Sequence, residues 1–403
     1  MRTKHFLAVL AGVTLTSCVT DKGADFIPQN DQTKIRFSSP VMYNNNTGTR
    51  AAHYGEIGNH SYGTQSTYSY PRAESFHIYA VKHTNDFSGW ENADAKALFD
   101  DTNVSYDGSL DGWAPKKTSA DDPYYYWPAG MKLSYAACSP ADLEQGEAWT
   151  GSRTYGANGL TITNFKIASD AAKQFDLMFS KRAMNKIKDD MRHDADYYSG
   201  SEIEFQHALS SIHFSLKNET SAVIALKKIT LYGISNVATF NENITEASDK
   251  YEINDNVKPT WTNYNEPSAE TSYVAFDAGS KTGLIFPIEA QYISNLLTQE
   301  ANADAGDNHV LLLLPQKLTD AAKLRIDYTI DSVASFKVVN LKDARHKDDL
   351  TSAINEWEIG TSYTYRLVYS IEAANQDKVY FSPQTNGWKH AGVAVIDLAG
   401  GSK

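Results

Sequence analysis

Residues 202–216 read Glu202-Ile203-Glu204-Phe205-Gln206-His207-Ala208-Leu209-Ser210-Ser211-Ile212-His213-Phe214-Ser215-Leu216. Apolar residues fall on odd positions from Ile203 to Leu209 and on even positions from Ile212 to Leu216. Successive side chains of a strand point to opposite sides, so each half reads as a strand with one buried face. No single strand keeps one face buried across that change, because a one-residue slip reverses every side chain. A bulge or short turn is therefore expected near residues 208–211.

The same period of two recurs on both sides of this stretch. Leu324, Ile326, Tyr328 and Ile330 alternate with polar residues, as do Tyr363, Tyr365, Leu367, Tyr369 and Ile371. Residues 310–314 are apolar throughout and close on Pro315, which suits a central strand. Further short strands are expected at residues 35–37, 76–81, 132–137, 159–163, 229–234, 283–287 and 379–381, separated by Asn, Asp, Gly and Pro. Residues 182–192 and 293–300 could each form a short helix. Many short strands with turn punctuation indicate an all-β chain of sandwiches or barrels. The charged run at residues 181–196 is a candidate linker or surface helix, with a solvated loop as the alternative. It places a soft boundary near residue 200. No short-period repeat is present.

The N-terminus reads as an export signal: Arg2 and Lys4 precede the apolar residues 6–15. Ten apolar residues are half of the roughly 20 that a spanning helix needs. Leu15-Thr16-Ser17-Cys18 resembles a lipobox, in which the cysteine thiol takes a diacylglycerol and the cysteine becomes the new N-terminus. Buried acyl chains contribute ~0.8 kcal/mol per CH₂, so anchoring is expected to come from lipid on Cys18. The other cysteine, Cys138, then has no disulfide partner and is expected to be a small buried hydrophobe. Loss of residues 1–17 removes Arg2 and Lys4 and takes the formal charge from −12 to −14. Such a chain repels polyanions and carries no basic stripe, which excludes nucleic acid as a partner.

Signatures of catalysis are missing. No His-Glu-x-x-His, Gly-x-Ser-x-Gly or phosphate loop occurs in the sequence. The acidic run Asp189, Asp190, His193, Asp194 and Asp196 lacks the glycine and distal glutamate of a calcium loop and reads as a solvated charge run. Glu202 and Glu204 share a strand face, and their alternation with Ile203 and Phe205 makes that face a solvated one. No enzyme activity, metal or cofactor is expected. Tyr124-Tyr125-Tyr126-Trp127 is the densest aromatic cluster. It is either a sugar-stacking platform, with Tyr124, Tyr126 and Trp127 as glycan contacts, or a strand with its rings half in the core.

In order along the chain stand Cys18, Ile35-Arg36-Phe37, Thr49-Arg50-Ala51, Phe76-His77-Ile78-Tyr79-Ala80, Tyr126-Trp127-Pro128 and Tyr135-Ala136-Ala137-Cys138-Ser139-Pro140. They continue with Phe175-Asp176-Leu177-Met178-Phe179, Phe205-Gln206-His207-Ala208-Leu209, Leu313-Leu314-Pro315-Gln316, Trp357-Glu358-Ile359-Gly360, Tyr363-Thr364-Tyr365 and Trp388. With these fragments the sequence resembles the fimbrillin-like proteins of Bacteroides-type bacteria, the subunits of surface pili. The resemblance implies two β-sandwich domains of transthyretin-like topology, with short helices in connections. It implies a lipoprotein precursor at the outer membrane, cleavage after an arginine, departure of the first strand, and entry of a strand from another subunit.

Within that scheme residues 1–17 are the signal, 18–50 a propeptide with the exchangeable strand, 51–200 the first sandwich and 201–403 the second. Ile35, Phe37 and Val41 share a parity, broken by Ser39, as a replaceable edge strand would. The polar residues 43–49 suit a protease, which puts the expected cut between Arg50 and Ala51. Losing residues 1–50, with six Lys/Arg and three Asp/Glu, takes the charge from −12 to −15. The candidate donor strand is residues 391–398: Ala394, Ile396 and Leu398 share one face, and Val393 and Val395 lie on the other. An ordinary closing strand is the alternative. Expected partners are other fimbrial subunits, the outer membrane through the lipid, and a host or bacterial surface glycan or protein. The rival function is a surface-anchored glycan-binding lipoprotein.

Overall fold

The computed structural model describes residues 34–37, 41–42, 74–86, 90, 95–110, 112–119, 121–144, 148–188, 193–194, 197–198, 200–201, 203–244, 258–293, 296, 307–308, 310–344, 354–370 and 389–397. The architecture is all-β. The first sheet runs in the order β1 (Val41–Met42), β12 (Glu204–His207), β8 (Met178–Ser180), β5 (Lys132–Ser139), β2 (Ser75–His83), β3 (Lys96–Asp107), β4 (Gly112–Pro115), with β9 (Ala183–Lys186) also on β5. A second sheet joins β16 (Thr260–Thr262), β15 (Val237–Asn241), β7 (Gly159–Lys166) and β6 (Arg153–Gly156). It draws strands from both sides of residue 200.

A third sheet runs β19 (Gln291–Tyr292), β13 (Ser210–Asn218), β24 (Thr361–Tyr369), β25 (Lys389–Asp397), with β21 (Leu311–Leu313) on β13. The fourth runs β20 (Asp307–Asn308), β17 (Ser272–Asp277), β14 (Ile224–Tyr232), β22 (Lys323–Ile330), β23 (Val333–Asn340), with β18 (Leu284–Ile285) on β14. A small hairpin pairs β10 (His193–Asp194) with β11 (Tyr197–Tyr198). Most neighbours are antiparallel, but β13, β24 and β25 run parallel, and so do β1 and β12.

Two apolar cores separate the layers. Phe76, Ile78 and Ala80 of β2 face the smaller one, together with Leu133, Tyr135, Phe99, Trp113 and Phe205. The opposite face of the same sheet, with Tyr79, Val81, Cys138 and Phe179, joins the larger core. That core continues through Leu160, Ile162 and Phe240 of the second sheet to Ile212, Leu226, Ile326 and Tyr365 of the third and fourth. Burial on both faces explains why β2 is apolar at consecutive positions.

The change of parity at residues 208–211 is not a bulge or a turn within one strand. There the chain leaves the first sheet and enters the third, β12 ending at His207 and β13 starting at Ser210. The crossing is pinned by main-chain and side-chain bonds. The Ala208 amide donates to Leu177 O (2.8 Å), and Ala208 O accepts from Trp261 Nε1 (2.7 Å). Leu209 O accepts from the Gly360 amide (2.9 Å), and Ser210 Oγ donates to Glu358 O (2.9 Å). His207 Nδ1 and Asp176 Oδ2 sit 2.5 Å apart, both side chains removed from solvent. Burial pushes the Asp176 carboxyl up, against the pull of His207.

Leu324, Ile326 and Tyr328 of β22 alternate inward as the periodicity requires. Asp331 and Ser332 both have positive φ, the two-residue turn that matches strand twist, and set the register Ile330 to Val333. Two expectations differ. β24 lies between β13 and β25, and Thr361, Thr364 and Val368 are buried along with Tyr363 and Tyr365. Residues 183–186 of the expected helix at 182–192 form β9, because Leu133 and Tyr135 of β5 offer an open edge and Met184 can be buried there. Of residues 293–300, Ile293 and Leu296 are helical and buried, and the others lie outside the described residues.

Candidate functional site

Residues 34–37 and 41–42 meet the two ends of the first sheet. The Ile35 amide donates to Tyr125 O (2.8 Å) and the Phe37 amide to Trp113 O (2.7 Å). In return the Trp113 amide donates to Phe37 O (3.1 Å), and on the other flank the Ser201 amide donates to Arg36 O (3.0 Å). Val41 and Met42 then pair with Glu204 and Phe205. The alternation read from the sequence sends Ile35 and Phe37 into the smaller core, 1 % and 2 % exposed. Phe37 packs edge-on against Tyr135 (5.3 Å) and Phe76 (6.3 Å). Arg36 points off this core and its Nη1 donates to Leu110 O (2.6 Å).

Glycines line both flanks. A Cβ on Gly112 would meet Phe37 O at 3.0 Å, and one on Gly200, where φ is +76°, would meet Arg36 O at 2.6 Å. The bed thus admits main chain where a side chain would block it. Gly200→Ala therefore carries both backbone strain and a clash with the segment. It is expected to cost about 1–3 kcal/mol and to speed protease attack on residues 34–50. Limited proteolysis of the variant beside wild type reads this, and equal cleavage rates would refute it.

Tyr124-Tyr125-Tyr126-Trp127 is the floor of this bed. Trp127 is 4 % exposed and belongs to the same core as Ile35. Lys34 stands 4.0 Å over the Tyr124 ring. The Tyr124 hydroxyl donates to Asp107 Oδ2 (2.7 Å), and the Tyr126 hydroxyl donates to Asp122 Oδ1 (3.1 Å). Burial would raise the Asp107 carboxyl. The Tyr124 hydroxyl, the Ser109 amide and Lys116 outweigh it and hold the group at about 2, below its ordinary 3.8. A depressed carboxylate contributes stability above the unfolded value, and that contribution is lost as pH falls through the folded one. The stability difference between wild type and Asp107→Asn should be constant above about pH 5 and shrink between about pH 4 and 2. Denaturant titrations across that range test it.

The other candidate residues are placed as follows. Cys18, Arg50, Ala51 and Leu398 lie outside the described residues, as do Glu202 and the strand expected at residues 379–381. Val393, Ala394, Val395 and Ile396 lie in β25, paired in parallel with Thr364, Tyr365, Arg366 and Leu367 at an edge of the third sheet. Glu204 pairs with Lys181 at 3.1 Å. Cys138 is buried, and burial pushes its thiol up to about 11. It stands across from His77, and His77 Nδ1 lies 2.9 Å from Asp101 Oδ1, a Cys-His-Asp arrangement that sequence spacing does not reveal. Arg153 fills that arrangement, donating from Nε to Asp101 (2.7 Å) with its Nη2 against His77. A buried thiol held in its neutral form does not serve as a nucleophile. Arg153 instead ties β6 to the first sheet. Among the described residues, no three His, Cys, Asp or Glu side chains gather as metal ligands.

A family model described as fimbrillin-like matches residues 72–388. Among solved structures, a fimbrial protein from Bacteroides vulgatus is 15% identical, with a TM-score of 0.40, covering 74% of this chain and 89% of its own. A putative cell adhesion protein from Bacteroides uniformis is 11% identical (TM-score 0.41, covering 85% and 94%). One from Bacteroides ovatus is also 11% identical (TM-score 0.42, covering 84% and 92%). No curated protein matches the chain.

Proposed function

Because the chain belongs to the fimbrillin-like family, we propose that it is a structural or adhesive subunit of surface fimbriae, exported as a lipoprotein and assembled by proteolysis-triggered strand exchange. One observation supports the exchange reading: Ile35 and Phe37 complete the smaller apolar core from a segment held by isolated bridges at Lys34 and Phe37. Burial of Ile35 and Phe37 contributes ~3–6 kcal/mol. The four main-chain bonds of the segment add ~1 kcal/mol each. Fixing four residues costs ~1–2 kcal/mol each. The remainder is a few kcal/mol, enough to hold a tethered segment and too little to hold a free one.

The tether supplies the difference. With the Arg50–Ala51 bond intact, the segment rebinds at a roughly millimolar effective concentration. Cleavage there releases the segment together with lipidated Cys18, whose acyl chains hold the precursor at the outer membrane. The emptied bed exposes Phe76, Trp113 and Tyr135 and accepts a strand from another fimbrial subunit. The C-terminal residues Val393, Ala394, Val395, Ile396 and Leu398 are the first donor candidate, since β25 occupies a sheet edge. The rival glycan-binding reading has less support, because Trp127 has no open ring face.

The test is direct. The purified precursor is incubated with an arginine-specific protease and viewed by electron microscopy. Filaments whose subunits begin at Ala51 are expected; filaments whose subunits still begin at Cys18 would overturn the mechanism.

A further inference from the structure

The bed is selective for a pattern. It takes a lysine over Tyr124, an aliphatic side chain at position 35, an off-core side chain at position 36 and an aromatic ring at position 37. The C-terminal strand β25 (Lys389–Asp397) contains no aromatic residue. Trp388, just before it, has Asn386 and His390 two residues away, so no aliphatic partner lies at the required spacing. β25 would leave the Phe37 pocket with a void, which cores penalise.

A different stretch matches. Lys378-Val379-Tyr380-Phe381-Ser382 carries lysine, an Ile or Val, phenylalanine and serine at the spacing of Lys34-Ile35-Arg36-Phe37-Ser38, with Tyr380 in place of Arg36; Pro383 follows it directly, and Pro40 follows Ser38 one residue later. Lysine, Phe and Ser are identical, and Val379 is Ile35 less one methylene. The spacing of an Ile or Val two before Phe also occurs at Ile203/Phe205, Ile212/Phe214 and Val274/Phe276. Ile203, Phe205, Ile212, Phe214 and Phe276 are buried in place, and Val274 pairs with Thr230 in β17. None of these three follows a lysine or ends on a proline.

We infer that Lys378–Ser382 of a second copy of this chain is the strand that fills the bed, with Phe381 in the pocket of Phe37. The inference rests on the strand-exchange reading and specifies its donor. Chain length argues against the copy's own segment. Only 19 residues separate Tyr369 from Lys389, and Lys389 pairs with Thr361 at the other end of β24. Returning along a nine-residue strand spans about 27 Å and uses at least eight of them. The bed also lies on the far face of the first sheet from the core that β24 lines. The five residues of the segment then leave six, at most about 20 Å of chain, for both passages around that sheet.

The experiment uses the full chain nicked with an arginine-specific protease and three fluorescein-labelled peptides, residues 34–42, 378–386 and 389–398. The first two should compete for one site with affinities within about tenfold of each other. The 389–398 peptide should bind at least about tenfold more weakly. Phe381→Ala should weaken the 378–386 peptide by roughly a hundredfold, and in the full chain it should abolish filaments while leaving the melting temperature of the uncut precursor unchanged. Tightest binding by residues 389–398 would overturn this donor and leave strand exchange standing. Binding by none of the peptides, to the nicked wild type and to its nicked Phe381→Ala variant alike, would remove both readings. A nicked chain that excludes peptide, stays monomeric at every concentration and regains binding of the 34–42 peptide on Phe381→Ala would show closure by its own segment and overturn the second-copy assignment.

Discussion

Phe37→Ala is expected to loosen the first segment more than any other single change to it. Phe to Ala in a packed core costs about 3–5 kcal/mol, the lost transfer energy plus the cavity left behind. The net hold on residues 34–37 is only a few kcal/mol, so the penalty exceeds what local attachment can absorb. The segment should therefore detach before the protein unfolds. Amide exchange reads this directly: protection at Ile35 and Phe37, whose amides bond to Tyr125 and Trp113, should collapse to that of an open chain. Protection in β14 and β22 should persist, because those strands lie in the other core. Phe37→Leu should fall between the two. Retained protection at Ile35 in Phe37→Ala would mean that the main-chain bonds alone hold the segment, and the pocket argument would fail.

The second large effect concerns the crossing between sheets. Asp176→Ala removes the partner of a side chain that has no access to solvent. Removing one half of a buried hydrogen-bonded pair costs about 1–3 kcal/mol, since the remaining polar group stays desolvated. His207 ends β12, next to the peptide bonds that carry the chain into β13. The loss should therefore appear as global destabilisation and not as local fraying. Replacing both residues, Asp176→Ala with His207→Ala, should cost less than the sum of the single changes, because neither polar group then remains. Urea titration of the four proteins gives the coupling energy; strict additivity would show that the 2.5 Å contact contributes nothing.

Segment and crossing differ in how far they could be read from residues alone. The alternation of Ile35 and Phe37 predicts burial on one face, which the structure shows, with isolated bridges at Lys34 and Phe37 in place of the expected strand. That its floor would be Tyr124 to Trp127 was not visible, since about ninety residues lie between them and no local pattern links the two. The aromatic run was legible only as core or platform, because a half-buried and an exposed tyrosine carry the same letters. Hydrogen bonds donated to Asp107 and Asp122 and the cation of Lys34 decide its surroundings. The Cys138, His77, Asp101 and Arg153 cluster left no sequence signal, because its members come from four strands.

Residues 202–216 divide the two sources of information most clearly. Period and parity are local properties, set by the pleat of the backbone, and they alone determined two strands with a break between them. Where each strand goes depends on which edge is free to pair, which is set by segments far away in the chain. Leu177 and Gly360, distant in sequence, receive the crossing from opposite sides. Only the tertiary structure could therefore decide that the break at residues 208–211 carries the chain from one sheet to another, because side-chain period encodes a face and not a partner.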